Sequence, residues 1–232
     1  MKHTAIITRV DQEAPNIVTL YFTVNGATLP FTAGQYITVY FDETAVKTGK
    51  AYSLSSAPGD DELSITVKRI GEFSERLCAL KPGDTLTVSS PYGFFNVQDD
   101  SPIVGIAAGV GIAPIWSIIR DELAQAQMRS VELFLTAPTT NELVFRHRID
   151  DLFASHLNAA ATYFVTRESA CAPELQTRRF VVKNDISIML LARAQFYVCG
   201  AQAFVHDMWR QLMEAGVDEQ RIVTETFFET TL

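Results

Sequence analysis

Ile103-Val104-Gly105-Ile106-Ala107-Ala108-Gly109-Val110-Gly111-Ile112-Ala113-Pro114 is the stretch that decides the fold. It opens as an apolar run, breaks at Gly109 and Gly111, and continues largely apolar until Arg120-Asp121-Glu122. The pattern reads as a buried strand, a tight turn and a buried helix. A membrane span competes for residues 103–119, which carry no charge. That run falls short of the roughly 20 residues a span needs. Gly105, Gly109, Gly111 and Pro114 also interrupt it, although Gly105 and Gly109 share the spacing of membrane helix pairs. Gly109 and Gly111 allow backbone N–H groups to approach a ligand. The helix beyond them favours phosphate through its dipole and unpaired N–H groups. Pro114 suits the first helical turn, where a missing N–H costs nothing. The third glycine of the dinucleotide fingerprint is absent. No Lys-Ser or Lys-Thr follows, which excludes a phosphate loop of the nucleoside-triphosphatase kind.

Downstream of this stretch, strand and helix patterns alternate. Short apolar runs occupy 103–107, 131–136, 162–166, 195–199 and 222–225. Helical patterns occupy 112–126, 145–155, 186–192 and 204–215. The alternation predicts an α/β domain with a five-stranded, doubly wound parallel sheet. Ligands of such sheets bind beyond the carboxyl ends of the strands. The glycine turn, Cys199-Gly200, Glu225-Thr226-Phe227-Phe228 and Thr166-Arg167-Glu168 would all lie on that edge. Upstream, the period is two. Runs at 5–10, 17–23, 36–41, 51–54, 63–67 and 85–89 are separated by turn signals at Asn25-Gly26, Pro58-Gly59 and Pro82-Gly83. They predict a six-stranded antiparallel barrel with one short helix over 74–80, N-capped by Ser74. Asp99-Asp100-Ser101-Pro102 marks the boundary, giving domains 1–99 and 100–232.

Composition narrows the function. The 232 residues carry a formal net charge of −8, with no basic run. Nucleic acid and anionic membrane surfaces are therefore poor partners. The three cysteines, Cys78, Cys171 and Cys199, form no disulfide or zinc pattern. An all-cysteine iron–sulfur cluster needs four thiolates, so this chain alone holds none. His3, His147, His156 and His206 share no metal spacing. Arg9 breaks the amino-terminal segment before a signal-like apolar core forms. The expectation is a cytoplasmic protein without a membrane span.

Six partial motifs stand in order along nearly the whole chain. They are Lys50-Ala51-Tyr52-Ser53, Gly71-Glu72-Phe73-Ser74, Pro91-Tyr92-Gly93-Phe94-Phe95, Gly109 to Pro114, Cys199-Gly200-Ala201, and Glu225 to Phe227. In these the chain resembles the ferredoxin–NADP reductase superfamily in its compact bacterial form. It departs from the family pattern at Lys50 (usually Arg), Val110 (usually Thr) and Ala201 (usually Pro). The resemblance implies an enzyme that passes hydride from NAD(P)H to FAD and electrons onward to a ferredoxin, another iron–sulfur protein or an oxygenase component. A free-flavin reductase and a non-catalytic nucleotide-sensing subunit are the alternatives.

The resemblance also implies roles. Tyr52 stacks on the flavin ring and Ser53 hydrogen-bonds its N5 or O4. Lys50, Gly71 and Ser74 meet the flavin phosphates, with Lys50 a point charge in place of a guanidinium fork. Gly109, Gly111 and Gly200 receive the nicotinamide nucleotide. Cys199 lies by the nicotinamide C4 and positions hydride transfer rather than attacking. Glu225 assists proton delivery or charge balance. Phe227 or Phe228 covers the nicotinamide side of the flavin, Phe227 by its place in the motif. Thr166 and Arg167, with Arg178 and Arg179 adding charge, favour NADPH. By residue type alone Tyr52 is a half-buried barrel residue, Ser53 a solvated strand residue, Cys199 a small core hydrophobe and the arginines a solvated loop.

Overall fold

The computed structural model describes residues 1–24, 29–41, 49–125, 129–169 and 172–227. The Asn25-Gly26 turn, Cys171 and Phe228 lie outside the described residues. The chain forms two compact units. One is Met1–Val97 with Trp116–Ala124, the other Gln98–Ile115 with Gln125–Leu232.

In the first unit the strands are β1 (Lys2–Ala14), β2 (Ile17–Val24), β3 (Tyr36–Tyr40), β4 (Lys50–Ser53), β5 (Leu63–Lys68) and, after helix α1 (Glu72–Cys78), β6 (Thr85–Ser89). They form one antiparallel sheet in the order β4-β3-β6-β1-β2-β5. The sheet curls until Leu54, just past β4, bridges Ile65 of β5, so the barrel is incompletely closed. In β1, Ala5 and Ile7 are buried while Thr4, Ile6 and Thr8 are exposed, as period two requires.

Strand β5 departs from that pattern. Ser64 and Thr66, the polar half of its alternation, are as buried as Leu63, Ile65 and Val67. Buried hydroxyls need partners. Thr19 Oγ1 bonds Thr66 Oγ1 at 3.0 Å, Thr66 Oγ1 donates to Ser55 Oγ at 3.1 Å, and Ser55 Oγ bonds Ser64 Oγ at 2.8 Å. Helix α1 begins two residues before its expected start. Gly71 is its N-cap, and Ser74 occupies the third helical position instead.

The second unit runs through β7 (Ile103–Ala108), the start of helix α2 (Ile112–Ala124, grouped from Trp116 onward with the first unit), β8 (Val131–Ala137), α3 (Arg146–Ala154), β9 (Ala159–Val165), β10 (Leu175–Gln176), α4 (Val182–Asp185), α5 (Ile188–Arg193), β11 (Gln195–Ala201), α6 (Gln202–Glu214) and β12 (Ile222–Phe227). The sheet is parallel, in the order β10-β9-β8-β7-β11-β12. All five expected strands are present. The sixth, β10, is a two-residue edge strand too short to show a period. In place of one helix over 186–192 there are two short ones, because Ile186 is extended and Ser187 restarts the helix by accepting from Leu190 N–H at 3.3 Å. Ile103, Val104, Ile106 and Ala107 of β7 are all buried, as befits the centre of a parallel sheet. Among the described residues no helix is long and apolar enough to cross a membrane.

Candidate flavin and nicotinamide sites

In the second unit the chain reverses strand order between β7 and β11, and the glycine turn lies at that switch. Gly109–Gly111 forms a 3₁₀ turn that leads into α2. Gly109 has φ +54°, the left-handed region, and a Cβ there would meet nothing within 4 Å. A side chain is disfavoured by backbone conformation, and open space faces the turn. Gly111 is constrained differently. A Cβ would lie 2.3 Å from the Cys199 carbonyl oxygen and 2.7 Å from Gly200 N. Only glycine lets the turn rest on the end of β11. Both glycines thus fit a nucleotide phosphate brought to the start of the 13-residue helix α2.

Register assembles the rest of this site. Cys199 lies beside Ala107 of β7 on one side and Glu225 of β12 on the other. Gly200 pairs with Thr226 and Ala201 with Phe227. The Cys199 side chain is fully buried. Burial first, and the Glu225 carboxylate second, push its thiol well above the ordinary range. The shift favours the neutral thiol, the weaker nucleophile. Phe227 is half-buried at the end of β12.

Thr166 and Arg167 follow β9 and are exposed. Arg178 forms an ion pair in the same region. Its guanidinium donates to both Asp185 oxygens, at 2.9 and 2.5 Å, and lies 5.2 Å from the Phe164 ring. Its guanidinium is paired with Asp185 in this structure. Arg179 faces Asp207, whose carboxyl is held low chiefly by Arg210.

In the first unit, β4 carries Lys50, Tyr52 and Ser53 against β3. Tyr52 is half-buried and stacks on Phe73 of α1, with centroids 6.3 Å apart and planes at 18°. Burial, then the nearby Cys78, push its phenol upward. Lys50 Nζ stands 5.8 Å over the same Phe73 ring. Phe73 therefore gathers the cation and the aromatic wall, a role that its place in Gly71-Glu72-Phe73-Ser74 did not signal. Ser53 is buried, not solvated as its residue type suggests. Ser74 Oγ accepts from Ile70 N–H at 2.9 Å and Gly71 N–H at 3.1 Å, and donates to Gly71 O at 2.8 Å. Its hydroxyl thus shapes the loop. A Cβ on Gly71 would meet nothing within 4 Å. A flat aromatic wall, a lysine and an open glycine loop fit a flavin nucleotide.

Comparison with known proteins finds a flavin-binding and a nicotinamide-nucleotide-binding domain in turn. The oxidoreductase FAD-binding domain family matches residues 4–97, and the oxidoreductase NAD-binding domain family matches residues 106–210. The chain is 31% identical to the flavohemoprotein of Bacillus subtilis (strain 168), over 96% of this chain and 58% of that protein. It spans about three fifths of the length of the curated relatives it matches. The FAD/NAD-binding domain of nitric oxide dioxygenase from Vibrio cholerae O1 biovar El Tor superposes with a TM-score of 0.86 at 27% identity, covering 97% of this chain and 98% of that one. A ferredoxin NADP+ reductase from Neisseria gonorrhoeae, with bound FAD and NADP, gives 0.81 at 25% identity, covering 98% and 99%. Fold and domain pair define an FAD-dependent NAD(P)H oxidoreductase. The chain belongs to the ferredoxin–NADP reductase superfamily.

Proposed function

We propose that this reductase oxidises NADPH in preference to NADH and delivers electrons singly to the haem or iron–sulfur centre of an acceptor protein. Bound FAD supplies the step from two-electron hydride acceptance to one-electron release. The chain's own residues bind and orient. Tyr52, backed by Phe73, is the wall for the flavin ring, and Ser53 is a donor at its N5 or O4 edge. Lys50 neutralises phosphate, while Gly71 and Ser74 form the loop around it. Gly109, Gly111 and Gly200 receive the nicotinamide nucleotide. The buried Cys199 thiol fixes the nicotinamide ring, and Glu225, in register with Cys199, assists proton delivery or charge balance. Phe227, in register with Ala201 at the end of β12, is the aromatic residue of the nicotinamide site. Thr166 and Arg167 take the adenosine end, Arg167 as the cation for a 2′-phosphate.

The observation that carries this reading is the seating of Gly111 on the Cys199 carbonyl with Glu225 in register alongside. It gathers two of the expected nicotinamide residues, Gly111 and Cys199, with the expected proton carrier Glu225 at one switch point. Similarity to flavohemoproteins supports a haem acceptor; the motifs shared with ferredoxin reductases support an iron–sulfur one.

The test is anaerobic reduction of FAD-loaded protein with NADPH and NADH in parallel, followed by flavin bleaching. Cytochrome c, a ferredoxin and free FMN then serve as probe acceptors. Faster bleaching with NADPH and reduction of either metalloprotein are expected. Turnover with free FMN alone would favour a second reading, a free-flavin reductase. One feature supports that alternative: Lys50 offers a single point charge where a bidentate arginine would grip phosphate. Retention of yellow colour through gel filtration would count against it.

A further inference from the structure

We propose that Glu168 is a positioning residue for the nicotinamide nucleotide, bridging the loops after β8 and β9 so that Arg167 is presented to the adenosine phosphate. The proposal rests on the reading that Thr166 and Arg167 hold that end. Strands β8 and β9 stay in register up to Ala137 and Val165. Their main-chain bonding continues two residues further. Thr166 N–H donates to Ala137 O at 3.2 Å, and Arg167 N–H donates to Pro138 O at 2.9 Å. The carboxylate of Glu168 then turns back across the gap. Its Oε1 accepts from Thr140 N–H at 3.0 Å and its Oε2 from Thr140 Oγ1 at 2.5 Å.

The receiving loop suits this role. Thr140 opens the 3₁₀ turn Thr140–Glu142, whose first N–H groups lack an acceptor within the turn. An ionised acceptor makes the stronger, charge-assisted kind of bond there. The turn is braced in its own right, because Thr139 Oγ1 donates to Glu142 Oε1 at 3.1 Å and Glu142 N–H returns to Thr139 O at 3.1 Å. Arg167 is thus flanked by two main-chain bonds on one side and a two-point carboxylate tie on the other. Its side chain stays exposed while Glu168 is half-buried. With Arg178 bound to Asp185, the placement of Arg167 carries added weight.

The experiment measures binding of adenosine 2′,5′-bisphosphate to the FAD-loaded protein by calorimetry, with KM and kcat for NADPH alongside. Glu168→Ala is expected to weaken the bisphosphate about fivefold to tenfold and raise KM by a similar factor, with kcat at saturation unchanged. Glu168→Gln, which keeps one acceptor oxygen, should lie between. Arg167→Ala should weaken binding too. The double variant should then be no worse than Arg167→Ala alone, since both act through one guanidinium. An unchanged or tighter Glu168→Ala beside a weakened Arg167→Ala overturns the positioning role and leaves the nucleotide reading intact. An unchanged Arg167→Ala overturns the nucleotide reading itself. A fully additive double variant assigns Glu168 an independent effect and also overturns the proposal. Should Glu168→Ala fail to fold, Thr140→Val removes one of the two ties from the other side and is expected to weaken the bisphosphate about twofold to threefold.

Discussion

At Gly111 an added methyl group would meet backbone rather than a yielding side chain. The contact of 2.3 Å with the Cys199 carbonyl oxygen forces the turn and β11 apart. Gly111→Ala is therefore expected to cost about 1–3 kcal/mol, as overpacking does. It should lower the melting temperature by roughly 2–4 °C per kcal/mol. It should also raise KM for NAD(P)H while flavin retention is unchanged; calorimetry with steady-state kinetics checks both. Cys199 offers a pH test. Its folded thiol titrates above the unfolded one, mainly through burial and then through Glu225. The folded state keeps a proton that the unfolded chain releases above roughly pH 8.5, so this contribution to stability is lost as pH rises past that point. Urea midpoints measured from pH 8 to 10 should fall less steeply in Cys199→Ala than in the parent.

At the scale of the element, β5 and α2 show how burial overrides pattern. The alternation of β5 reads as one wet face, yet Ser64 and Thr66 are shut away and bonded to Thr19 and Ser55. Thr66→Val would remove Thr19's partner and one of the two partners of Ser55, at a cost of about 1–3 kcal/mol. Thr85→Val, on the exposed start of β6, should stay within about 0.5 kcal/mol. Urea unfolding of the pair measures the difference. The far half of α2 is held by similar polar ties. Ser117 Oγ donates to Ser56 O at 2.6 Å, and Arg120 forks onto Asp60 at 2.5 and 2.7 Å. The Arg120–Asp60 pair is about one-third and one-quarter exposed, so its worth is discounted for solvent to about 1 kcal/mol or less.

For the molecule as a whole, two units with separate cores invite a thermodynamic test of the flavin assignment. A ligand that binds only folded protein adds about 2.7 kcal/mol at one hundred times its dissociation constant. FAD at that level should raise the melting temperature of flavin-free protein by about 5–10 °C. Tyr52→Ala should need about threefold to tenfold more FAD for the same shift, because the ring loses its stacking wall. An identical FAD dose-response in the variant would remove Tyr52 from the flavin site.

Much of the architecture was legible before any coordinates, because periodicity is a property of neighbouring residues. Period two up to residue 89 and alternating strand and helix patterns from residue 103 describe two different ways of burying apolar surface. Gly109-Val110-Gly111 before an apolar helix is likewise a local statement about a turn. Tertiary structure alone decided what depends on residues far apart in the chain. It placed the Gly111 turn on the Cys199 carbonyl, set Glu225 beside Cys199, matched Arg178 to Asp185 and tied Glu168 to Thr140. It also buried both faces of β5, added the two-residue β10, and moved Ser74 from cap to third helical position. Local sequence sets which conformations each segment favours. Which polar groups meet when the segments pack is settled only by their long-range contacts.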